Sequence, residues 1–327
     1  MTAAPVPPLE WSAQRLYHQL SQCVPNLGVE VVAQIGSTNT ALLERARVAH
    51  RLSSEVELQS LRSPEGVSFG RRGADCQPCL LVAEHQTHGR GRQGRSWQAE
   101  PGASLTFSLA MALAPTDWSG FSLAVGVALA EALDPSAGRD ASGAATGRPW
   151  IGIKWPNDLW LMPPRGEPGA GRKLGGLLIE TVPAGALRLA VVGVGLNVLP
   201  MALDASQAAS GFACLQELDA GASAPGVLHR VALPLVEALQ QFSRGGFAAY
   251  AERFARRDVL QGCTVQAGAG VPTDTPLAVA GGSGLTGVAD GVAGNGALRV
   301  RTPDGVREVI SGEVSVRVSP AGKETSC

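Results

Sequence analysis

The sequence is poor in charged residues, in aromatic side chains and in net charge. Charged residues make up 17% of its 327 residues, aromatic residues make up 5%, and the formal net charge is −1. Broad attraction to nucleic acid or to an anionic membrane needs a basic excess, and this balance does not supply one. We therefore expect no nucleic acid and no membrane among the partners of the protein.

Long apolar runs and targeting segments are also missing. The most apolar stretch, residues 187–200, contains Arg188 and Asn197 and is too short to span a bilayer. The first eight residues have neither the basic start nor the apolar run of a signal peptide. These absences predict a cytoplasmic protein, and 45% apolar residues are enough for more than one domain.

Cysteines are few, and their scatter predicts free thiols: Cys23, Cys76, Cys79, Cys214, Cys263 and Cys327. One group, Cys76, Cys79, His85 and His88, has the side-chain types that bind zinc. Its five-residue spacer is far shorter than that of a zinc finger, and the apolar run inside it is typical of a strand. The sequence therefore leaves any metal ligand unidentified.

Glycine is abundant, and the stretch "HGRGRQGRSW" at residues 88–97 combines it with arginine. Neighbouring arginines repel each other unless an anion lies between them, and glycine lets backbone N–H groups approach that anion closely. The stretch lacks the Lys-Ser/Thr pair of a Walker loop, and no helix is predicted directly after it. It therefore predicts an anion-binding loop of another kind.

Three further motifs combine polar side chains with turns or glycines. In "KWPNDL", a proline precedes Asn157 and Asp158 at the start of a strand, which fixes a turn and aims both side chains at one place. In "RKLGG", the position of Lys173 before two glycines suits contact with a phosphate or a carboxylate. Asn197 in "GVGLNV" interrupts an apolar strand, so it needs a partner, either an adenine edge or a backbone group.

Periodicity predicts strands at 29–35, 80–85, 104–111, 151–154, 159–162, 173–182 and 187–198. It predicts helices at 41–49 and 121–133, a third along 228–242 with a kink at Pro234, and a fourth along 247–254. Residues 51–79 and 134–149 have the composition of insertions, and the first of these is expected to be mobile. After residue 261, short strands alternate with turns, and "TPDG" at 302–305 predicts a hairpin in a small β-barrel.

The motifs together resemble the biotin protein ligases, the biotin–[acetyl-CoA-carboxylase] ligases, over residues 31–319. The resemblance rests on "IGSTNT", "AEHQTHGRGRQGRSW", "KWPNDL", "GRKLGGLLIE", "GVGLNV" and "GVADGVAGNGALRV…SGEVSVR" in this order. It implies an α/β (α+β) catalytic domain of the class II synthetase-like biotin/lipoate ligase type, with a mixed sheet flanked by helices. A small SH3-like β-barrel follows, so we expect an N-terminal lead at 1–30, a catalytic domain at 31–258 and the barrel at 262–320. The short start resembles the class without an N-terminal DNA-binding domain.

The resemblance also implies a reaction and its partners. Biotin and MgATP would give biotinyl-5′-AMP, and a specific lysine of a biotin carboxyl carrier protein would then take the biotin. ATP with Mg²⁺ is the expected substrate complex, and no bound prosthetic group is implied. A monomer or a weak homodimer is expected.

By matching positions, the resemblance implies two catalytic residues, Lys173 and Arg92. It implies a biotin-binding set of Ser37, Thr38, Asn39, Gln86, Arg90, Gly91, Arg92 and Lys173. It implies a nucleotide-binding set of Arg95, Asn157, Asp158 and Asn197, with some of these on the metal side.

Two other functions remain open at this point. A lipoate or octanoate ligase or transferase shares the catalytic fold, although the full glycine–arginine loop, "KWPND" and the terminal barrel argue against it. A non-enzymatic binding module would use the barrel as its interaction unit and would leave the loop arginines idle.

Overall fold

The computed structural model describes residues 9–52, 66–69, 78–167, 169–184, 187–201, 211–269, 284–310 and 314–318. Its helices are α1 (Ala13–Ser21), α2 (Thr38–Leu52), α3 (Phe121–Leu133), α4 (Ala224–Gly245) and α5 (Ala251–Ala255). The first eight strands are β1 (Gly28–Ile35), β2 (Gly66–Phe69), β3 (Cys79–Gln86), β4 (Ser104–Leu113), β5 (Trp150–Lys154), β6 (Asp158–Met162), β7 (Arg172–Ala184) and β8 (Leu187–Asn197). The last five are β9 (Thr264–Ala269), β10 (Leu285–Val292), β11 (Leu298–Thr302), β12 (Gly305–Val309) and β13 (Val314–Val318).

The larger sheet is mixed and has eight strands in the order β2-β1-β3-β4-β8-β7-β6-β5. Strands β1 and β3 run parallel, and α2 lies between them in the chain, whereas the other described pairs are antiparallel. The burial pattern of β4 is almost continuous, which is typical of a strand covered on both faces. The glycine–arginine loop after β3 therefore leaves the sheet beside its most buried strands.

Helices cover both faces of this sheet. On one face α1, α3 and α4 pack into a core that contains Leu20, Phe107, Val125 and Leu235. On the other face α2 packs a smaller apolar cluster that includes Leu42, Leu43, Leu81 and Val191. The layered arrangement fixes α2, whose first turn will form one wall of the candidate site.

The second sheet is antiparallel and has five strands in the order β12-β11-β10-β9-β13. It carries the turn 302–305 between β11 and β12, as the sequence predicts. The predicted fold class, a helix-flanked mixed sheet followed by a small C-terminal β-structure, is confirmed. The predicted domain limits at 258 and 262 stay predictions.

The elements differ from the sequence-based expectations in a few places. The strand β9 was not predicted. Helix α4 continues through Pro234, with Val231, Leu235 and Leu239 buried on both sides of the proline, and the predicted kink at Pro234 stays a prediction. The predicted helix along 247–254 is a 3₁₀ turn, Gly246–Tyr250, followed by the short α5. The proposed lead also contributes α1 to the main core.

The two insertions differ in how much of them the structure describes. Strand β2 lies within the expected insertion 51–79. Residues 53–65 and 70–77 of that segment lie outside the described residues. Residues 134–149 form turns and no helix or strand. None of the described helices is long and apolar enough to cross a membrane.

The cysteines are not all free, which corrects one expectation. Cys23, Cys79 and Cys214 are free thiols, but Cys263 is disulfide-bonded. Burial raises the pKa of the Cys79 thiol to about 12, and the nearby Glu30 carboxylate adds to the increase. Cys79 is therefore an unreactive thiol in the apolar cluster under α2.

The outer edge of the larger sheet is closed by the chain that leads into the second sheet. The Ile153 N–H donates to the Arg257 carbonyl at 2.7 Å, and the Val259 N–H donates to the Ile153 carbonyl at 3.2 Å. Asp258 sits in this segment, where its Oδ1 accepts the Leu260 N–H at 2.9 Å and its buried Oδ2 has no partner. Burial raises the pKa of Asp258 to about 6.

A charge-neutralising change at Asp258 is expected to alter how stability depends on pH. A raised pKa means that the folded state holds the proton more tightly, so stability falls as pH rises from about 4 to about 6. As pH rises over this range, the free energy of unfolding of Asp258→Asn should increase relative to that of the wild type by up to about 3 kcal/mol, because one pKa unit corresponds to about 1.4 kcal/mol. Urea unfolding of both proteins at several pH values measures the difference, and a constant difference contradicts it.

The two sheets meet at a glycine contact. Gly296, in the turn between β10 and β11, is buried with φ of 77°, and a Cβ there would lie 2.7 Å from the Gly120 Cα at the start of α3. The Trp155 indole N–H donates to the Gly296 carbonyl at 3.0 Å. The C-terminal sheet therefore packs directly against the turn that carries Asn157.

Gly296→Ala should destabilise the protein by about 2–3 kcal/mol, because the methyl group meets backbone and the positive φ strains alanine. Gly294→Ala in the same turn is the matched control, since a Cβ there has nothing within 4 Å. Thermal and urea unfolding of both variants provide the measurement. Equal stability of the two variants would show that the contact does not hold the sheets together.

Candidate active site

One open cleft, with a cavity volume of about 150 Å³, collects most of the residues that the sequence motifs single out. Its walls are the first turn of α2, the loop after β3, the 155–158 turn and the middle of β7 and β8. The lining side chains and backbone segments are Ser37, Thr38, Asn39, Gln86, Arg90, Gly91, Arg92, Gln93, Arg95, Ser96, Trp97, Phe107, Lys154, Trp155, Pro156, Asn157, Asp158, Lys173, Gly176, Leu177, Leu178, Gly193, Val194, Gly195 and Val316. Val316 belongs to β13, so both sheets contribute to the cleft.

One end of the cleft is neutral and polar. Ser37 precedes α2 and accepts the Thr40 N–H at 3.5 Å, and this capping contact begins the helix at the cleft. The Gln86 Oε1 at the end of β3 accepts the Thr38 N–H at 2.8 Å and lies 3.1 Å from the Thr38 hydroxyl. Residues 37–39 are at most 6% exposed, so this end presents fixed hydrogen-bonding groups.

Behind this polar end lies a buried serine that the sequence motifs do not include. The Ser108 hydroxyl on β4 lies 2.6 Å from the Thr38 hydroxyl and 2.6 Å from the Asn39 Oδ1. Asn39 donates through Nδ2 to the Leu178 carbonyl at 3.0 Å and to Glu180 at 3.1 Å. Ser108 follows an apolar alternation with no local signal, so only the fold brings it to the site.

The floor of the cleft needs the two glycines of "GVGLNV". A Cβ at Gly193 would lie 2.3 Å from the Asn39 Oδ1, and a Cβ at Gly195 would lie 2.5 Å from the Trp97 indole. A larger residue at either position would push the polar end or the tryptophan out of place. The motif therefore has a packing reason that is independent of any ligand.

The glycine–arginine loop is a closed turn over the cleft. Trp97 N–H donates to the Gly89 carbonyl at 2.8 Å, and Gly91 N–H donates to the Arg95 carbonyl at 2.7 Å. Gln93 at the tip has φ of 57° within a short 3₁₀ turn, Arg92–Gly94, and the element that follows the loop is the strand β4, with no helix between them. These contacts turn the loop back on itself, so that Arg90 and Arg92 can reach different parts of the cleft.

Arg90, Arg92 and Lys173 are three of the five cationic side chains that line the cleft, and each of these three contacts an acceptor of the protein. Arg90 pairs with Glu180 at 3.1 Å. Arg92 donates to the Asn157 Oδ1 at 3.1 Å, and the Lys173 Nζ lies 3.0 Å from the Asp158 Oδ1. Burial lowers the pKa of the Arg92 guanidinium, Asp158 opposes this effect and Arg95 adds to it. The acceptors offset a repulsion that would otherwise push the cations apart.

These contacts divide the predicted residues into two groups. Arg92, Asn157, Asp158 and Lys173 form a cationic end, with Gly176 directly beside Asp158 and Lys173. Arg90 instead belongs to the polar end, because its partner Glu180 also accepts from Asn39 and because Arg90 donates to the Thr40 hydroxyl at 3.3 Å. The sequence motifs do not distinguish these two positions of the loop arginines.

Two of the predicted nucleotide-binding residues, Arg95 and Asn197, do not belong to either end of the cleft. Arg95 is exposed at the rim and donates to the Gln93 Oε1 at 3.0 Å. Asn197 is 7% exposed and does not line the cleft. Its amide donates to the Ala213 carbonyl at 3.0 Å, so of the two partners considered for it, the backbone is the one present.

The cysteine–histidine group shows no metal site in the part of the chain that the structure describes. No three His, Cys, Asp or Glu side chains come together there to hold a metal ion. Cys79 contacts Glu30 and Arg45, while His88 contacts Thr87. Cys76 lies outside the described residues.

Comparison with known proteins adds to this geometry. The biotin/lipoate A/B protein ligase family matches residues 76–197, and the biotin protein ligase C-terminal domain matches residues 279–317. The chain is 32% identical over 215 residues to the biotin–[acetyl-CoA-carboxylase] ligase of Mycobacterium tuberculosis, covering 65% of this chain and 62% of that protein. It is 28% identical over 309 residues to the bifunctional ligase/repressor BirA of Salmonella typhimurium, covering 93% of this chain and 78% of that protein.

Solved structures agree with the fold. A biotin protein ligase from Aquifex aeolicus in complex with biotin and ATP matches with a TM-score of 0.59 and 23% identity, covering 89% of this chain and 99% of that chain. At this identity the match supports the fold alone. Both matched domains occur in this order along the chain, so the chain carries a biotin/lipoate ligase catalytic domain and a biotin protein ligase C-terminal domain, and its relatives include a biotin–[acetyl-CoA-carboxylase] ligase.

Proposed function

We propose that the protein is an ATP-dependent biotin–protein ligase that forms biotinyl-5′-AMP and then transfers biotin to a lysine of a biotin carboxyl carrier protein. The observation that carries the proposal is the division of one cleft into a neutral polar end and a cationic end. A ureido ring needs fixed donors and acceptors, whereas a carboxylate meeting a triphosphate needs positive charge. The cleft offers both over one glycine floor.

In the first step a biotin carboxylate oxygen attacks the α-phosphorus of ATP. The new oxygen–phosphorus bond replaces the bond to pyrophosphate, which leaves. Negative charge develops on the α-phosphate oxygens, so Lys173 and Arg92 at the cationic end are the proposed catalytic residues. Gly91, beside Arg92, offers backbone contact to the same anion.

In the second step the uncharged amine of the carrier lysine attacks the acyl carbon of the adenylate. An amide bond forms, the amine gives up a proton, and AMP leaves with the bonding electron pair. No protein nucleophile takes part, so the enzyme acts by positioning and by shielding the adenylate from water.

The substrate ends are assigned as follows. Ser37, Thr38, Asn39 and Gln86 would bind the ureido ring, with Arg90 beside them. Asn157, Asp158 and Arg95 would bind the nucleotide. Mg²⁺ enters with ATP as part of the substrate, and the Asp158 carboxylate is the hard oxygen ligand that this end of the cleft offers it.

Biotin is favoured over lipoate as the acid. The catalytic family includes both biotin and lipoate ligases, but the match of residues 279–317 is to the biotin protein ligase C-terminal domain. A fixed polar end also suits a cyclic urea, which donates and accepts hydrogen bonds, better than it suits a dithiolane ring, which lacks N–H and C=O groups.

ATP–pyrophosphate exchange tests the proposal directly. Purified protein with MgATP and labelled pyrophosphate should exchange label when biotin is added, and not when lipoate or octanoate replaces it. Exchange with lipoate alone would favour the lipoate ligase, and no exchange with any acid would favour a binding module. Biotin incorporation into a carrier domain, located on one lysine by mass spectrometry, tests the second step.

Lys173→Ala should slow adenylate formation about 100- to 1000-fold while changing biotin affinity little. Loss of one charge-assisted contact that strengthens in the transition state costs about 2.7–4 kcal/mol. Arg172→Ala is the matched control, because Arg172 on the same strand pairs with Glu217 outside the cleft. Single-turnover kinetics over a biotin titration measure both quantities. Normal chemistry with weak biotin binding would make Lys173 only a binding residue.

Arg92→Gly should release biotinyl-5′-AMP before transfer, because the loop loses the cation that ties it to the cleft through Asn157. Biotinyl-5′-AMP should still form, because Lys173 remains in the cleft. The escaped intermediate should then biotinylate an unrelated protein such as serum albumin. Gln93→Gly is the control, since it adds backbone freedom at the loop tip and keeps Arg92. Pyrophosphate production without extra albumin labelling by Arg92→Gly would show that the loop does not retain the intermediate.

A further inference from the structure

We propose that the Trp97 indole N–H binds the acyl oxygen of the ligand, at the point where the polar end and the cationic end of the cleft meet. The inference rests on the proposed function and deepens it. Trp97 lines the cleft, and its Nε1 is buried without a hydrogen-bond partner in the part of the chain that the structure describes. A buried N–H that no protein group accepts is costly, and an acceptor on a ligand in the cleft removes that cost.

The floor of the cleft fixes where this donor lies. A Cβ at Gly195 would lie 2.8 Å from the Trp97 Nε1, so the nitrogen edge of the indole faces that glycine. Gly193 is two residues away on β8, under Asn39 of the polar end, and residues two apart on a strand share a face. The donor therefore lies next to the polar end.

The same glycine places the donor beside the cationic end. Gly195 on β8 is paired with Gly176 on β7, and directly paired residues of antiparallel strands lie about 4.5–5.5 Å apart. A Cβ at Gly176 would lie 3.3 Å from the Asp158 Oδ1 and 3.6 Å from the Lys173 Nζ. The indole N–H and the Lys173 ammonium therefore border one stretch of floor.

The part of a joined ligand that crosses this stretch is its acyl group. With the ureido ring at the polar end and the phosphate at the cationic end, the alkyl chain and the acyl carbon lie between them. The alkyl chain has no acceptor, so the acyl oxygen is the acceptor that this part of the ligand offers to the indole N–H. It is the biotin carboxylate oxygen that does not attack phosphorus, and it is present before and after the adenylate forms.

Transfer to the carrier gives this contact a catalytic consequence. As the lysine amine attacks the acyl carbon, the C–N bond forms and the carbonyl π electrons move onto the acyl oxygen. The C=O bond then forms again, AMP leaves with the electron pair of its bond to the acyl carbon, and the amine releases a proton to water. The indole N–H stabilises the oxyanion more than the neutral carbonyl, because a hydrogen bond to a charged acceptor is stronger.

Trp160 on β6 is a matched control. Its Nε1 is also buried without a partner among the described residues, but Trp160 does not line the cleft. The Lys154 Nζ lies 4.4 Å from the centre of its ring, and phenylalanine keeps a ring at that position. Trp160→Phe therefore removes an equivalent buried N–H and leaves the donors of the cleft in place.

The experiment titrates the full chain by calorimetry with two unreactive ligands. The acyl-sulfamate analogue of biotinyl-5′-AMP has the acyl oxygen, whereas biotinol-5′-AMP has a methylene group in place of the acyl carbonyl. Trp97→Phe should weaken the first about 5- to 150-fold, the cost of an unpaired buried acceptor, and should change the second by less than about twofold. Trp160→Phe should change neither.

A second protein carries benzothienylalanine at position 97, in which sulfur replaces the indole N–H and the bicyclic shape is kept. It should reproduce the loss that Trp97→Phe shows, because the two proteins share only the missing donor. Single-turnover transfer from purified biotinyl-5′-AMP to a carrier domain should slow about 100- to 1000-fold in both, the cost of one lost oxyanion donor. Trp160→Phe should transfer at the wild-type rate.

Equal weakening of the two ligands by Trp97→Phe would overturn the proposal, as would unchanged binding of the acyl-sulfamate analogue or an equal loss in Trp160→Phe. Wild-type affinity and transfer in the benzothienylalanine protein would also overturn it, because the shape of the ring would then be sufficient. Wild-type protein that binds neither ligand would overturn the proposed function as well. The wild-type titration therefore separates failure of the function from failure of the role given to Trp97.

Discussion

Holding several cations in one cleft before any ligand arrives is the constraint on which the site depends. Arg92 and Lys173 lie at the same end, and each contacts an acceptor on the 155–158 turn, at 3.1 Å to Asn157 and 3.0 Å to Asp158. Without these acceptors, like charges in a partly buried place would repel and the loop would move away. Arg90 is held in the same way by Glu180 at the polar end. An incoming anion would exchange with internal acceptors and would find the cations already close together.

The rest of the fold supports this arrangement. The turn with Asn157 and Asp158 is backed by Trp155, which is 1% exposed and donates to the Gly296 carbonyl of the second sheet. Glycines at 193 and 195 lower the floor, so that Asn39 and Trp97 can lie against it. A sheet covered by helices on both faces keeps these parts in register, because a shift in one strand would move the polar end relative to the cationic end.

The sequence predicts the local elements well and the long-range contacts poorly. Helix α3 begins and ends at the predicted residues, since its apolar spacing and its flanking turns are local signals. The gathering of Ser37, Gln86, Arg92, Asp158 and Lys173 follows from motif order, which is specific to one family. The sequence does not identify Ser108 and Glu180 as residues near the site. They lie on strands, and the pattern of a strand indicates which residues are buried but not which side chains they contact. Asn197 is a conspicuous polar residue in an apolar strand, and an adenine edge or a backbone group was the expected partner. Its amide donates to the backbone carbonyl of Ala213.

The polar end and the cationic end should act as one site for one joined ligand. Titration calorimetry of the wild-type protein, with biotin alone and then with an unreactive biotinyl-adenylate analogue, tests it most directly. The joined ligand should bind at least about 100-fold more tightly than biotin, because it adds the contacts of the cationic end to those of the polar end. The analogue binding no more tightly than biotin would contradict the claim that the two ends act together.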